Sequence, residues 1–158
     1  MTVLKLSCVV GLRHDEVGSG QPLVLVHGSP GEARAWACVV GHLAPALRVR
    51  TPDLPGYGGS DPLPWQVPVG TAAVAAALAE LIEDCSDPVW LCGHSCGGNI
   101  ALHAALRERE RIKGLVLIEP VFVRALDLTG ERKALLETHG FFTTYLVRAH
   151  LQNPAPSA

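Results

Sequence analysis

Unbroken apolar runs alternate with helical spacings along most of the chain. Leu23 to Val26 is apolar throughout, the pattern of a strand buried on both faces. Pro88 to Cys92 and Ile112 to Ile118 repeat that pattern, and Leu47 to Thr51 is a shorter run interrupted by Arg48 and Arg50. Thr2 to Val10, then a polar stretch through Glu16, predict two further strands ahead of the turn cluster Gly18-Ser19-Gly20-Gln21-Pro22. Helical spacing marks Glu32 to Leu43, entered through Pro30 and Gly31. It also marks the Ala- and Leu-rich Thr71 to Cys85, with Thr71 as its cap, and a segment from Gly97 or Gly98 to Glu110. This alternation predicts an α/β fold, a mostly parallel sheet with helices on both faces. Leu126 to Leu151 is helical in pattern but more polar, and the Pro- and Ser-containing end beyond it reads as frayed. The expected division is a core over 1–123 and the beginning of a helical cap over 124–158.

The candidate chemistry sits in two turns that follow apolar runs. Gly93-His94-Ser95-Cys96-Gly97 lies between the strand Val89-Trp90-Leu91-Cys92 and the helical Asn99-Ile100-Ala101-Leu102. A serine there occupies a tight strand-to-helix turn, and the small residues two before and two after it let the flanking backbones approach. The turn presents the Ser95 hydroxyl beside a helix N-terminus, whose free amides favour developing negative charge. His27-Gly28-Ser29-Pro30-Gly31 directly follows Leu23 to Val26, where a turn can aim a backbone amide into the same crevice. The amides of Ser29 and Cys96 are the expected oxyanion donors, and Gly28 and His94 are expected to contact substrate. The His27 side chain reads as a brace for its loop, because the proposed work belongs to the backbone.

Composition narrows the partners. The 158 residues carry a net charge of −2, with 48% hydrophobic and 18% charged positions, which excludes a disordered polyelectrolyte. Arg and Lys are scattered, so neither nucleic acid nor an anionic membrane is an expected partner. Five cysteines, Cys8, Cys38, Cys85, Cys92 and Cys96, stand without C-x-x-C spacing. That fits neither a disulfide framework nor a zinc site, and reduced thiols in a cytoplasmic protein are the expectation. The N-terminal apolar stretch is too short for a signal peptide and no run reaches the length of a membrane span. No metal or organic cofactor is expected, since acyl transfer through an activated serine needs none. Trp36, Trp65 and Tyr57 are candidates to line a pocket, although large aromatics more often fill a core.

H-G-S-P-G after one strand, D-L-P-G-Y-G-G-S-D after the next, G-H-S-C-G-G after the third and L-V-L-I-E-P after the fourth stand in order. Together, over Thr2 to about Val123, they resemble the α/β-hydrolase superfamily in its esterase, lipase and C–C hydrolase branch. The resemblance implies a serine hydrolase of ester or related acyl substrates with Ser95 as nucleophile. A serine at that position argues against the epoxide-hydrolase and dehalogenase relatives, which use aspartate. It also implies an acid and then a histidine after the nucleophile. The last two strands of the family's core, which carry those positions, are not found in this sequence. Glu119 stands where some relatives carry an alternative acid. His103 lies about 12 Å along its helix from Ser95, out of reach, and His139 and His150 fall in the cap-like stretch. Poor turnover is therefore expected of this chain alone. So is an uncovered sheet edge at Ile112 to Ile118 that invites self-association. Two other readings remain open: a non-catalytic remnant binding a small apolar ligand or partner subunit, and a hydrolase using Cys96.

Overall fold

The computed structural model of the chain describes residues 10–66, 70–121 and 144–148. Among these, β1 (His14–Val17), β2 (Gln21–Val26), β3 (Leu47–Pro52), β4 (Val89–His94), β5 (Ile112–Ile118) and β6 (Thr144–Arg148) form one sheet in the order β1-β3-β2-β4-β5-β6. The four central strands are parallel, and β1 and β6 flank them antiparallel. Three helices connect the parallel strands: α1 (Ala37–Leu43), α2 (Thr71–Glu83) and α3 (Cys96–Arg107).

Topology decides which face each helix covers. Crossovers between parallel strands are right-handed almost without exception. From β2 the chain steps outward to β3, then reverses past β2 to β4 and continues to β5. The reversal places α1 on one face and α2 and α3 on the other. Side chains alternate accordingly along the strands. Val24, Val26 and Leu91 share a core with Leu78 and Ile82 of α2 and Ala101 of α3, whereas Leu23, Leu25 and Cys92 pack with Trp36 and Val40. In α2 the buried residues Ala75, Leu78, Ala79 and Ile82 fall at the spacing of one helix face. β2 and β4 are thus neighbours from which the chain departs in opposite directions, the switch point where open α/β sheets take ligands.

Most predicted elements appear with shifted ends. The Glu32 to Leu43 segment opens as a 3₁₀ turn over Ala33–Trp36 before becoming α1. Thr71 is the first residue of α2 rather than its cap. Gly70, in extended conformation, holds the cap position, and its carbonyl accepts the amides of Ala73 at 3.1 Å and Val74 at 3.3 Å. α3 begins at Cys96, one turn-residue earlier than expected, because Ser95 itself caps it. Buried Arg50 is tolerated within β3 because its guanidinium pairs with Glu16 on β1 and reaches Asp84 at 3.4 Å. The predicted strand Thr2 to Val10 lies almost wholly outside the described residues, as does most of Leu126 to Leu151.

The main correction concerns the sheet edge. Ile112 to Ile118 does not form an uncovered edge, because Thr144–Arg148 pairs with it from Ile118↔Thr144 to Gly114↔Arg148. An apolar strand with a row of unpaired backbone donors and acceptors is costly, and a segment of the same chain satisfies that row. Thr144-Tyr145-Leu146-Val147 is β-branched and aromatic, which overrides the helical spacing read there. The expected reason for self-association through β5 is removed.

Candidate active site

Ser95 directly follows β4 and caps α3 with φ 54° and ψ −124°. A non-glycine residue in that region costs about 1–3 kcal/mol and persists only where its surroundings hold it. Here they do. The Ser95 amide donates to the Ile118 carbonyl at 2.9 Å. Its own carbonyl accepts the amides of Gly98 at 3.0 Å and Val121 at 3.2 Å. The turn is therefore clamped between its own helix and the segment that leaves β5.

Close approach explains the glycines around it. A Cβ on Gly93 would lie 2.7 Å from the Gly97 carbonyl carbon, and one on Gly97 would lie 2.7 Å from the Val26 carbonyl oxygen. One on Gly28 would stand 3.0 Å from the Ser95 Cβ. The turn after β2 and the turn after β4 consequently touch, and the Gly28 backbone packs directly against the serine. The two turns expected to lie side by side are therefore in direct backbone contact.

The loop after β2 is braced from below. His27 is fully buried; its Nε2 accepts the Leu54 amide at 3.0 Å and its Nδ1 lies 2.9 Å from the Gly28 carbonyl. Since Nε2 accepts, the ring proton is assigned to Nδ1, which donates to Gly28. Both nitrogens are engaged, so His27 holds the loop and offers nothing to a reaction. Its ring meets Tyr57 edge-on at 5.4 Å, and the Tyr57 hydroxyl bonds Ser29 Oγ at 2.7 Å.

Asp53 anchors the same loop cluster from beneath. Its Oδ1 accepts the Ala33 amide at 2.7 Å, and its Oδ2 accepts Gly59 at 2.9 Å and the Arg13 guanidinium at 3.1 Å. Burial pushes its pKa up, but these donors outweigh burial and hold the carboxyl below its ordinary range. Ser60 Oγ donates to the Asp53 carbonyl at 2.7 Å and accepts the Arg13 amide at 2.9 Å. Most of Asp53 to Asp61 is therefore a rigid turn, as its sequence suggests.

The remaining site residues divide into two groups. The amides of Ser29 and Cys96 have no hydrogen-bond partner among the described residues, and Cys96 is the first, unsatisfied donor of α3. His94 is exposed, and its Nδ1 would stand 2.9 Å from a Cβ on Gly28, so its ring lies beside the crevice. Glu119 is exposed, with φ 45°, immediately after β5 in the turn whose backbone bonds Ser95. Its carboxylate has no hydrogen bond or ion pair among the described residues. No histidine bonds Ser95 Oγ among those residues either: His103 sits farther along α3, and His139 and His150 fall outside them. No group of three metal-ligating side chains occurs among the described residues, and no described helix is long and apolar enough to cross a membrane.

A cavity of about 460 Å³ opens beside the turn. Leu54, Leu63, Val74 and Ile100 line it together with Thr71 and Cys96, the neighbour of Ser95. Of the three aromatic candidates only Tyr57 lines it; Trp36 is buried beneath α1 and Trp65 is exposed. Asn99, also in its wall, was missed from the sequence. Its position three residues after Cys96, on the same helix face, is the signal that identifies it.

Residues 21–155 match the family model described as alpha/beta hydrolase fold. The chain belongs to the α/β-hydrolase fold family. Its relatives are hydrolases of several kinds. It is 34% identical over 127 residues to lipase LipV of Mycobacterium tuberculosis, covering 78% of this chain and 46% of that protein. It is 41% identical over 103 residues to a pimeloyl-(acyl-carrier protein) methyl ester esterase of Aromatoleum aromaticum, covering 64% of this chain and 38% of that one. An esterase structure from Thermogutta terrifontis superposes with a TM-score of 0.65 at 32% identity, over 71% of this chain and 41% of its own. A soluble epoxide hydrolase of Corynebacterium sp., 33% identical over 129 residues, stands among the relatives too. This α/β-hydrolase chain spans less than half the length of the relatives it matches.

Proposed function

We propose that this α/β-hydrolase chain carries the nucleophile half of a serine hydrolase acting on an ester or related acyl substrate. Ser95 Oγ attacks the carbonyl carbon, and the amides of Ser29 and Cys96 receive the oxyanion that forms. Glu119, on the turn bonded to Ser95, is the acid positioned to orient a base. The observation that carries the reading is Ser95 held at φ 54° against Gly28, at the switch point between β2 and β4. Strain of this kind is stored where a hydroxyl must be presented, and a plain βα turn has no use for it. Relatives named as a lipase and esterases support ester chemistry. The epoxide hydrolases among them do not redirect it, because a serine, not a carboxylate, stands at the turn.

No described histidine reaches Ser95 Oγ, and without a base a serine is a weak nucleophile near neutral pH. The described residues by themselves are therefore expected to turn substrate over slowly, while the hole and the binding surface still contribute. A fluorophosphonate probe tests the assignment. Stoichiometric labelling that disappears in Ser95→Ala supports it. Folded protein that takes no label favours a remnant that only binds ligands, and labelling that survives Ser95→Ala but is blocked by thiol alkylation favours Cys96.

A further inference from the structure

The peptide unit that joins Gly28 to Ser29 is held from both ends. It is trans and planar, so the Gly28 carbonyl and the Ser29 N–H point in opposite directions. Buried His27 fixes the carbonyl end, with its Nδ1 at 2.9 Å from that oxygen. At the other end Ser29 is exposed, and neither its amide nor its carbonyl has a partner among the described residues. Its one hydrogen bond among them joins Ser29 Oγ to the Tyr57 hydroxyl at 2.7 Å.

Tyr57 is a firm post for that bond. Its amide donates to the Leu54 carbonyl at 2.9 Å, and its carbonyl accepts the Ser60 amide at 3.0 Å. Gly56 and Gly58 on either side stand at φ 80° and 51°, which lets the chain turn tightly around it. A Cβ on Gly58 would fall onto the Asp53 carboxylate, so the turn is packed against the anchor of the loop cluster. The half-buried ring packs against the core shared by α2 and α3 and meets His27 edge-on. A phenylalanine would keep every one of these contacts. Only the bond to Ser29 uses the hydroxyl.

We infer that Tyr57 is a positioning residue for the oxyanion donor: its hydroxyl tethers Ser29 and keeps the Ser29 amide aimed at the crevice beside Ser95. The inference rests on the ester-hydrolase reading for the task of that amide, and on the His27 and Tyr57 contacts for its geometry. With His27 alone, the peptide unit is held at one end and can pivot about that bond. A donor already in place when charge develops stabilises it more than one that must first reorient. The hydroxyl of Tyr57 removes the pivot.

A double-mutant cycle on the kinetics of fluorophosphonate labelling tests this. Tyr57→Phe and Ser29→Ala each remove one hydroxyl and leave the Ser29 amide in the chain. Each is expected to slow the maximal labelling rate about tenfold, with the reversible affinity for the probe unchanged. The double variant should be no slower than either single one, because both cut the same link. Losses that multiply, an unchanged rate in Tyr57→Phe, or a loss confined to affinity would each overturn the inference. A second readout needs no reactive serine. The NMR order parameter of the Ser29 N–H is expected at about 0.85 in the unsubstituted protein and below about 0.6 in Tyr57→Phe. A value that stays high in Tyr57→Phe would overturn the tether. Unsubstituted protein that takes no label counts against the nucleophile reading instead, and Tyr57 is then judged on the order parameter, so the two failures are distinguishable.

Discussion

Gly97 presses against the carbonyl oxygen of His27, so the first turn of α3 and the loop after β2 share one backbone contact with no room for a side chain. That contact sets the distance between the two turns that flank the crevice. The His27 ring then fixes the loop to Leu54 on the far side. The crevice is built mostly from main chain, which is why its shape does not depend on flexible side chains.

Gly97→Ala should therefore be disproportionately harmful. The added methyl collides with backbone of β2 that cannot swing aside, and overpacking of this kind costs about 1–3 kcal/mol. A lowered urea midpoint with an unchanged slope is expected. An alanine tolerated without loss would show that the two turns are less closely apposed.

Ser95 should trade stability for its position. Ser95→Gly removes the strain at φ 54° and is expected to raise stability by about 1 kcal/mol while abolishing fluorophosphonate labelling. Ser95→Ala keeps the backbone penalty and should lose labelling without that gain. Thermal melts of the two variants side by side check the difference. Equal stabilities would mean the serine conformation is not strained.

Acid should loosen the loop cluster around Asp53. Its carboxyl is held below the ordinary value of 3.8, so the unfolded chain binds its proton at higher pH than the folded chain does. The stabilisation is complete above the unfolded value and is lost as pH falls through the lower, folded one. Asp53→Asn gives up the ion pair with Arg13 and is expected to cost about 2 kcal/mol at neutral pH. Its stability should then change less between pH 5 and the acid limit (about pH 2) than that of the unsubstituted protein. Parallel pH-dependent denaturation curves for the two proteins would refute the role given to Asp53.

The thiols should react in an order set by burial. Cys38 is exposed, Cys96 half-buried at the cavity, and Cys85 and Cys92 buried. Burial pushes the Cys92 thiol up to about 11 and also raises Cys85, leaving little thiolate in either near neutral pH. Among the four thiols of the described residues, alkylation followed by peptide mapping should modify Cys38 first and Cys96 next, with Cys85 and Cys92 reached only on unfolding. A cavity ligand should slow Cys96 alone. Early modification of Cys92 would contradict the packing beneath α1.

The sequence by itself determined the order of the elements and the two turns that matter. Doubly buried strands read as unbroken apolar runs, and a serine between glycines at a strand-to-helix junction permits few backbone paths. The placement of Ser95, Gly28, Ser29 and Cys96 on those two turns was legible for that reason. Tertiary structure decided the rest. The antiparallel place of Thr144–Arg148 depends on β5 having an open side, a property of the sheet that local spacing cannot express. The place of Asn99 in a cavity wall appears only once Leu54, Val74 and Ile100 are brought beside it. Periodicity records which side chains leave water, whereas the partners they meet there are set by contacts between residues far apart in the chain.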